Sequence, residues 1–280
     1  MTNPSPTPAR FTSGVSTDFP FGPLATFGRP NPFGYFVVAD DFAASVANNP
    51  LWTIYSKSTG SAANTTALGG GRVTLTTAAA ASDVEAIQCQ TGLINPNAGI
   101  VVGTAAGKKI HFLTRLQMSS ISATGPTLVA GIITESATPS ITPANGIYFS
   151  INGGVASLNI AIASAVTALA LPTTCYATQA NPAAVAMAAA TYYDMGFYVN
   201  RNQNLVAFFG QQLVGYFPQN GTGVLNSQGN SVLPALGAVA SLSGATLPNT
   251  ALALSLVLQE GADAAAVTAG CDFIMASQER

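Results

Sequence analysis

Charge is what this sequence has least of. Charged residues fill 7% of its 280 positions, against roughly 25% in an ordinary soluble protein. Nine basic and eleven acidic residues leave a net charge of −2, so the basic stripe that a phosphate backbone requires is missing and no nucleic-acid partner is expected. Histidine occurs once, at His111; any Ser-His-Asp triad would have to use it, and no G-x-S-x-G elbow accompanies it. The three cysteines, Cys89, Cys175 and Cys271, are odd in number, widely spaced and without a CxxC pair. Metal ligation needs clustered ligands, so they read as buried free thiols. The glycine-rich "GGGRVT" at 69–74 leads into a strand and not a helix, which makes it a poor phosphate cradle.

Long apolar runs are missing too. A spanning helix needs ~18 uninterrupted apolar residues; the nearest approach, "IAIASAVTALALP" at 160–172, is short and ends in Pro172, so no membrane segment is expected. The N-terminus, "MTNPSPTPARFTSG", lacks the apolar stretch of a secretory signal, which points to synthesis in a cytoplasm. These absences make a non-enzymatic protein without metal or cofactor the expectation.

What is there is β-patterned. In "YYDMGFYVNRNQNLVAFFGQQLVGYF" (192–217), Phe197 and Val199 alternate with Tyr198 and Asn200, and Val206 and Phe208 with Ala207 and Phe209. A period of two marks strands with two distinguishable faces, and the Asn- and Gln-rich interruptions are turn chemistry, so a three-stranded antiparallel meander is predicted. Further β segments are "YFVVADDF", the alternating "LWTIYS" and "RVTLTT" with the glycine-rich "GSAANTTALGGG" between them, "VEAIQCQTG", "KIHFLTRLQM", "TLVAGIIT", "GIYFSING", "VASLNIAIAS", "VLPALGAVAS", "ALALSLVLQEG" and "GCDFIMASQER". Turn signals between them recur about every ten residues, as a sandwich or barrel requires. Asn152-Gly153-Gly154 reads as a hairpin turn. The alanine runs "TAAAAS" and "PAAVAMAAAT" are long enough for one or two helical turns. The chain therefore divides into an all-β domain over 35–280 and a preceding segment of different character.

That segment, 1–34, holds seven prolines, and Phe11, Phe19, Phe21, Phe27 and Phe33 are set among them. Prolines at this density prevent a helix and cannot donate to a central sheet, while an ordinary disordered tail is depleted in aromatics. The reading is an extended arm that inserts its rings into a partner surface. With 48% apolar residues and few charges, the remaining surface is of the kind that associates or is covered.

The acids offer three candidate sites. Asp83 and Glu85 share one strand face by the period of two. Paired carboxylates are what glycoside hydrolysis uses, but the expected role here is a solvated strand edge. Asp40 and Asp41 in "ADDF" either ligate calcium with backbone carbonyls or cap a turn, with capping expected. Trp52, the only tryptophan, either supplies a sugar platform or packs in the core, with core expected. His111 lies opposite Ile110 and Phe112 and is expected to face solvent or a neighbouring chain.

Several stretches together resemble the capsid decoration, or cement, proteins of tailed bacteriophages: "RFTSGVS" (10–16), "FGPLATFGRPNP" (21–32), "GKKIHFLTRLQM" (107–118), "NGIYF" (145–149), "MGFYVNRNQNLVAFFGQQLVG" (195–215), "LPALG" (233–237) and the terminal "CDFIMASQER". The resemblance spans nearly the whole chain. It implies an antiparallel β-sandwich of the jelly-roll type, concanavalin- and laminin-G-like. It also implies a trimeric structural role on the outside of a virion. Partners would be the major capsid protein, other copies of this chain and neighbouring decoration subunits. Arm anchors would be Phe11, Phe19, Phe21, Phe27 and Phe33, with Arg10 and Arg29 as charged contacts. The alternative function for the same fold is a carbohydrate-binding virion module that attaches to a host surface.

Overall fold

A computed structural model describes residues 35–64, 71–89, 108–122, 124–170, 185–200, 205–209, 212–217, 247–262 and 265–280. Arg10, Phe11, Phe19, Phe21, Phe27, Arg29 and Phe33, Cys175 and the segment "VLPALGAVAS" lie outside the described residues.

The strands are β1 (Tyr35–Asp40), β2 (Trp52–Ser56), β3 (Ser61–Asn64), β4 (Val73–Thr76), β5 (Val84–Cys89), β6 (Ile110–Met118), β7 (Thr127–Ile133) and β8 (Gly146–Asn152). They continue with β9 (Val155–Ile162), β10 (Ala165–Ala170), β11 (Val185–Ala186), β12 (Tyr193–Val199), β13 (Leu205–Phe209), β14 (Gln212–Phe217), β15 (Ala253–Gln259) and β16 (Thr268–Glu279). Among the described residues the single helical element is one 3-10 turn, Val46–Asn48. Strand pairing is antiparallel throughout. One sheet runs β14-β13-β12-β6-β16-β4-β3, with β1 also on β16; the other runs β10-β9-β8-β7-β15-β5-β2, with β11 also on β9. The fold is thus an all-β jelly-roll sandwich.

Alternation dictates which side chains meet between the sheets. Ile110, Phe112, Leu116 and Met118 of β6 and Met195, Phe197 and Val199 of β12 point inward and join Leu128, Ala130 and Ile132 of β7 and Ile147, Phe149 and Ile151 of β8 in one core cluster. At its centre Phe112 stacks on Phe197 at 4.9 Å, and Phe149 from the opposite sheet approaches both at 6.2–6.3 Å. Truncating one such ring to alanine costs about 3–5 kcal/mol, so these rings hold the two layers together.

The predicted meander is present: β12 pairs β13 and β13 pairs β14, with a bulge between Ala207 and Phe208. Asn152 pairs Val155 across Gly153 and Gly154, whose φ of +55° and +73° make the two-residue turn that glycine favours. The next hairpin carries no such signal. Ile162 pairs Ala165 across Ala163 and Ser164, which hold φ of +48° and +69°. The strain is overcome by a neighbouring loop: Ala163 N donates to Asn145 Oδ1 at 2.9 Å and Ser164 N to the Ala144 carbonyl at 2.8 Å. This turn splits "IAIASAVTALALP" into β9 and β10.

Other differences from the sequence reading have similar causes. Residues 61–64, within the glycine-rich stretch "GSAANTTALGGG" (60–71) between two predicted strands, form β3 by pairing with β4. The alanine run at 77–82 is bends and a turn without a helix. In the run at 182–191, Val185 and Ala186 pair with β9 as β11. A sheet edge supplies hydrogen bonds at once, whereas a helix this short has to nucleate.

Candidate functional site

Three polar constellations stand out in a chain so poor in charge. The first is on the outward face of the first sheet. Arg115 of β6 lies opposite Asp194 of β12 in the strand register. On its other side the β6–β16 ladder breaks between Cys271 and Phe273, and such a bulge re-aims its extra residue, here Asp272. The guanidinium sits between the two carboxylates, 3.8 Å from Asp194 Oδ1 and 3.9 Å from Asp272 Oδ2, too far for hydrogen bonds. Arg115 also lies 5.4 Å from the centre of the Tyr192 ring, whose hydroxyl meets Arg72 Nη1 at 3.1 Å. Gly270 lies under the Arg72 side chain: a Cβ there would come within 3.2 Å of Gln117 Nε2 and 3.3 Å of Arg72 Cδ. Partial burial raises the Asp194 carboxyl above the usual range; Arg115 opposes the rise and Asp272 adds to it. Chemically this is two arginines on an aromatic ring with two carboxylates flanking one of them, the charges only loosely paired.

The second constellation is the "ADDF" corner. Asp40 Oδ1 accepts from Phe42 N at 2.7 Å, and Oδ2 accepts from Trp52 Nε1 at 2.6 Å and from Asn49 Nδ2 at 3.0 Å. Asp41 Oδ1 accepts from Ala43 N at 3.2 Å. The acids cap the turn, the expected alternative to calcium ligation. Asn64 completes the corner by donating to the Phe42 and Ala44 carbonyls and accepting from Val46 N. Phe42 is driven to a φ of +55° and full burial. Burial raises the Asp40 pKa, and the Trp52 and Phe42 donors oppose that rise. Trp52 is 4% exposed and packs against Phe42 at 5.8 Å, so it belongs to the core and presents no platform to a sugar.

The third constellation overturns an expectation. Asp83 and Glu85 are not a solvated strand edge: β5 is flanked by β15 and β2, and the two residues are 2% and 0% exposed. Glu85 points inward, in step with Ile87 and Cys89, and Oε1 accepts from Ser56 Oγ at 2.7 Å. Asp83 Oδ2 accepts from Ala78 N at 2.6 Å. Glu260, 2% exposed, accepts from Thr77 Oγ1 at 2.9 Å and from Gly261 N at 3.1 Å. Burial, with Asp83 adding to it, raises the Glu85 pKa; the Ser56 hydroxyl acts the other way.

His111 corrects another expectation. It does lie opposite Ile110 and Phe112, but it is fully buried. Tyr198 and Tyr35 approach it at 4.7 and 5.7 Å. Burial, aided by Lys109 and opposed by Glu279, lowers its pKa to about 3. Cys89 and Cys271 are free and buried as expected, and burial pushes both thiols up to about 12. Sequence reasoning missed the Arg115 face, because Arg72 and Tyr192 are 120 residues apart and only the register brings Asp194 and Asp272 to one arginine. Among the described residues no three acidic, histidine or cysteine side chains are placed to hold a metal ion, and no helix is long and apolar enough to cross a membrane.

No protein-family model matches the chain, and no curated protein is similar to it in sequence. Among solved structures it is similar to a protein of unknown function from Shewanella oneidensis MR-1, with a TM-score of 0.52 and 14% identity over 94% of this chain and 97% of the other. It also aligns with the carbohydrate recognition domain of Emp47p, with a TM-score of 0.49 and 9% identity over 89% and 99% of the two chains. A carbohydrate esterase of the Shiga toxin-encoding bacteriophage phi24B aligns with a TM-score of 0.41 and 13% identity over 82% and 90%. At these identities the likeness concerns the fold alone.

Proposed function

We propose that this protein is a non-enzymatic, phage-associated β-sandwich module that binds carbohydrate through the Arg115 face. The observation that carries the reading is the Arg115 constellation: of the chain's twenty charged residues, Arg72 and Arg115 contact Tyr192, and Asp194 and Asp272 flank Arg115. Vicinal hydroxyls suit such a site, since arginine donates in a fixed fork and carboxylates accept in pairs. A sugar's C–H face suits the tyrosine ring. Glycan-array screening of the purified chain, followed by calorimetry, tests this. Binding that falls at least about tenfold in Arg115→Ala supports the site, a change of about 1.4 kcal/mol. Absence of glycan binding, or equal binding by the variant, refutes it.

A second reading, attachment to the outside of a virion as a trimeric decoration protein that grips the major capsid protein, is favoured by the composition of residues 1–34, with five phenylalanines among seven prolines. A ligand that binds only the assembled shell stabilises it by mass action, and arms shared by many copies add avidity. Shells heated with full-length protein, or with protein lacking 1–34, distinguish the two. Protection by the full chain alone supports decoration through the arm, whereas no binding of either version removes this reading.

A further inference from the structure

We propose that Asp83 and Glu85, two residues apart at the start of β5, together bind one hard divalent cation, Ca²⁺, independently of the Arg115 face. Asp83 Oδ1 and Glu85 Oε2 are buried side-chain oxygens without a hydrogen-bond partner, on residues 2% and 0% exposed. Each carboxylate has its other oxygen bound, by Ala78 N and Ser56 Oγ respectively, so both groups are held in place while one oxygen of each stays available. Burying a carboxylate oxygen without donor or cation is costly, and proteins relieve the cost with a proton, an ion pair or a metal. The nearby cation of the chain is engaged elsewhere: Lys57 Nζ donates to the Ser82 carbonyl at 2.9 Å. Gly60 closes over Glu85: a Cβ at that position would overlap Glu85 Oε1 and sit 2.5 Å from the Thr76 carbonyl. The position thus brings a main-chain oxygen close to the Glu85 carboxylate.

The donor set selects the ion. It contains oxygen only, from two carboxylates, the Ser56 hydroxyl and the Thr76 carbonyl, without histidine or thiolate. Ca²⁺ accepts mixed carboxylate, carbonyl and water ligation in flexible geometry, while Zn²⁺ favours nitrogen and sulfur and Mg²⁺ demands a near-ideal octahedron. Two carboxylates completed by neutral protein and water oxygens are a donor set of the kind Ca²⁺ takes.

The test is calorimetric titration of the chelator-stripped full chain with CaCl2, with melting curves in CaCl2 and in EDTA. The expected result is one site per chain with a dissociation constant at or below about 1 mM and a higher Tm in CaCl2. Glu85→Gln and Asp83→Asn should each weaken binding at least about tenfold, because each removes a charged ligand. Identical wild-type melting in EDTA and about 10 mM CaCl2 overturns the proposal without reference to any variant. Undiminished binding by a folded Glu85→Gln chain overturns it as well.

Discussion

Replacing His111 with phenylalanine should remove a defined part of this protein's acid sensitivity. The imidazole is fully buried between Tyr35 and Tyr198, and its pKa falls from 6.5 to about 3 on folding. Between those two values the unfolded chain binds a proton at this position and the folded chain does not. The neutral ring therefore contributes stability that is present above pH 6.5 and lost as pH falls, by about 1.4 kcal/mol per unit. From pH 7 to pH 5 the loss is about 2 kcal/mol. Asp40 and Glu85, both raised, act in the opposite sense: their contribution is present below the ordinary carboxylate values and lost as pH rises through their folded values. That background is common to both proteins and cancels in the difference. Phenylalanine keeps a ring at the site and cannot titrate. Urea unfolding at pH 7, 6 and 5 should show the wild type losing about 2 kcal/mol more than His111→Phe across the range. Parallel losses would mean that the folded protein protonates His111 as readily as the unfolded chain, and the argument would fail.

Two further outcomes concern the corner that begins the sandwich. Trp52→Phe removes the indole donor from Asp40 while leaving Phe42 N and Asn49 in place, and should cost about 1.5–3 kcal/mol; calorimetry should record a Tm lower by about 3–8 °C. Gly71→Ala would drive a methyl group into the Phe42 main chain and should cost about 3 kcal/mol or more by denaturant unfolding, whereas Gly270→Ala meets only the flexible side chains of Gln117 and Arg72, at 3.2–3.3 Å, and should cost less than about 1 kcal/mol.

Much of the fold was legible because alternation is a local property. The strand at 110–118 falls where apolar and polar residues alternate and the one at 127–133 on a short apolar run, and the Gly153-Gly154 turn is written in residues that tolerate positive φ. The Ala163-Ser164 turn was not legible, since its conformation is imposed by Asn145 and Ala144 from another loop. Likewise β3 exists because β4 offers it partners.

The candidate sites divide along the same line. The sequence by itself determined that Asp83 and Glu85 share a face and that Asp40 opens a turn, because both depend on neighbours two residues away. Only the tertiary structure decided that β2 would cover β5 and so bury both carboxylates. It alone decided that Asp194 and a bulged Asp272 would bracket Arg115 over Tyr192. Register and layer packing set these contacts, and they depend on which distant strands pair, a choice made by the whole core and not by any one segment.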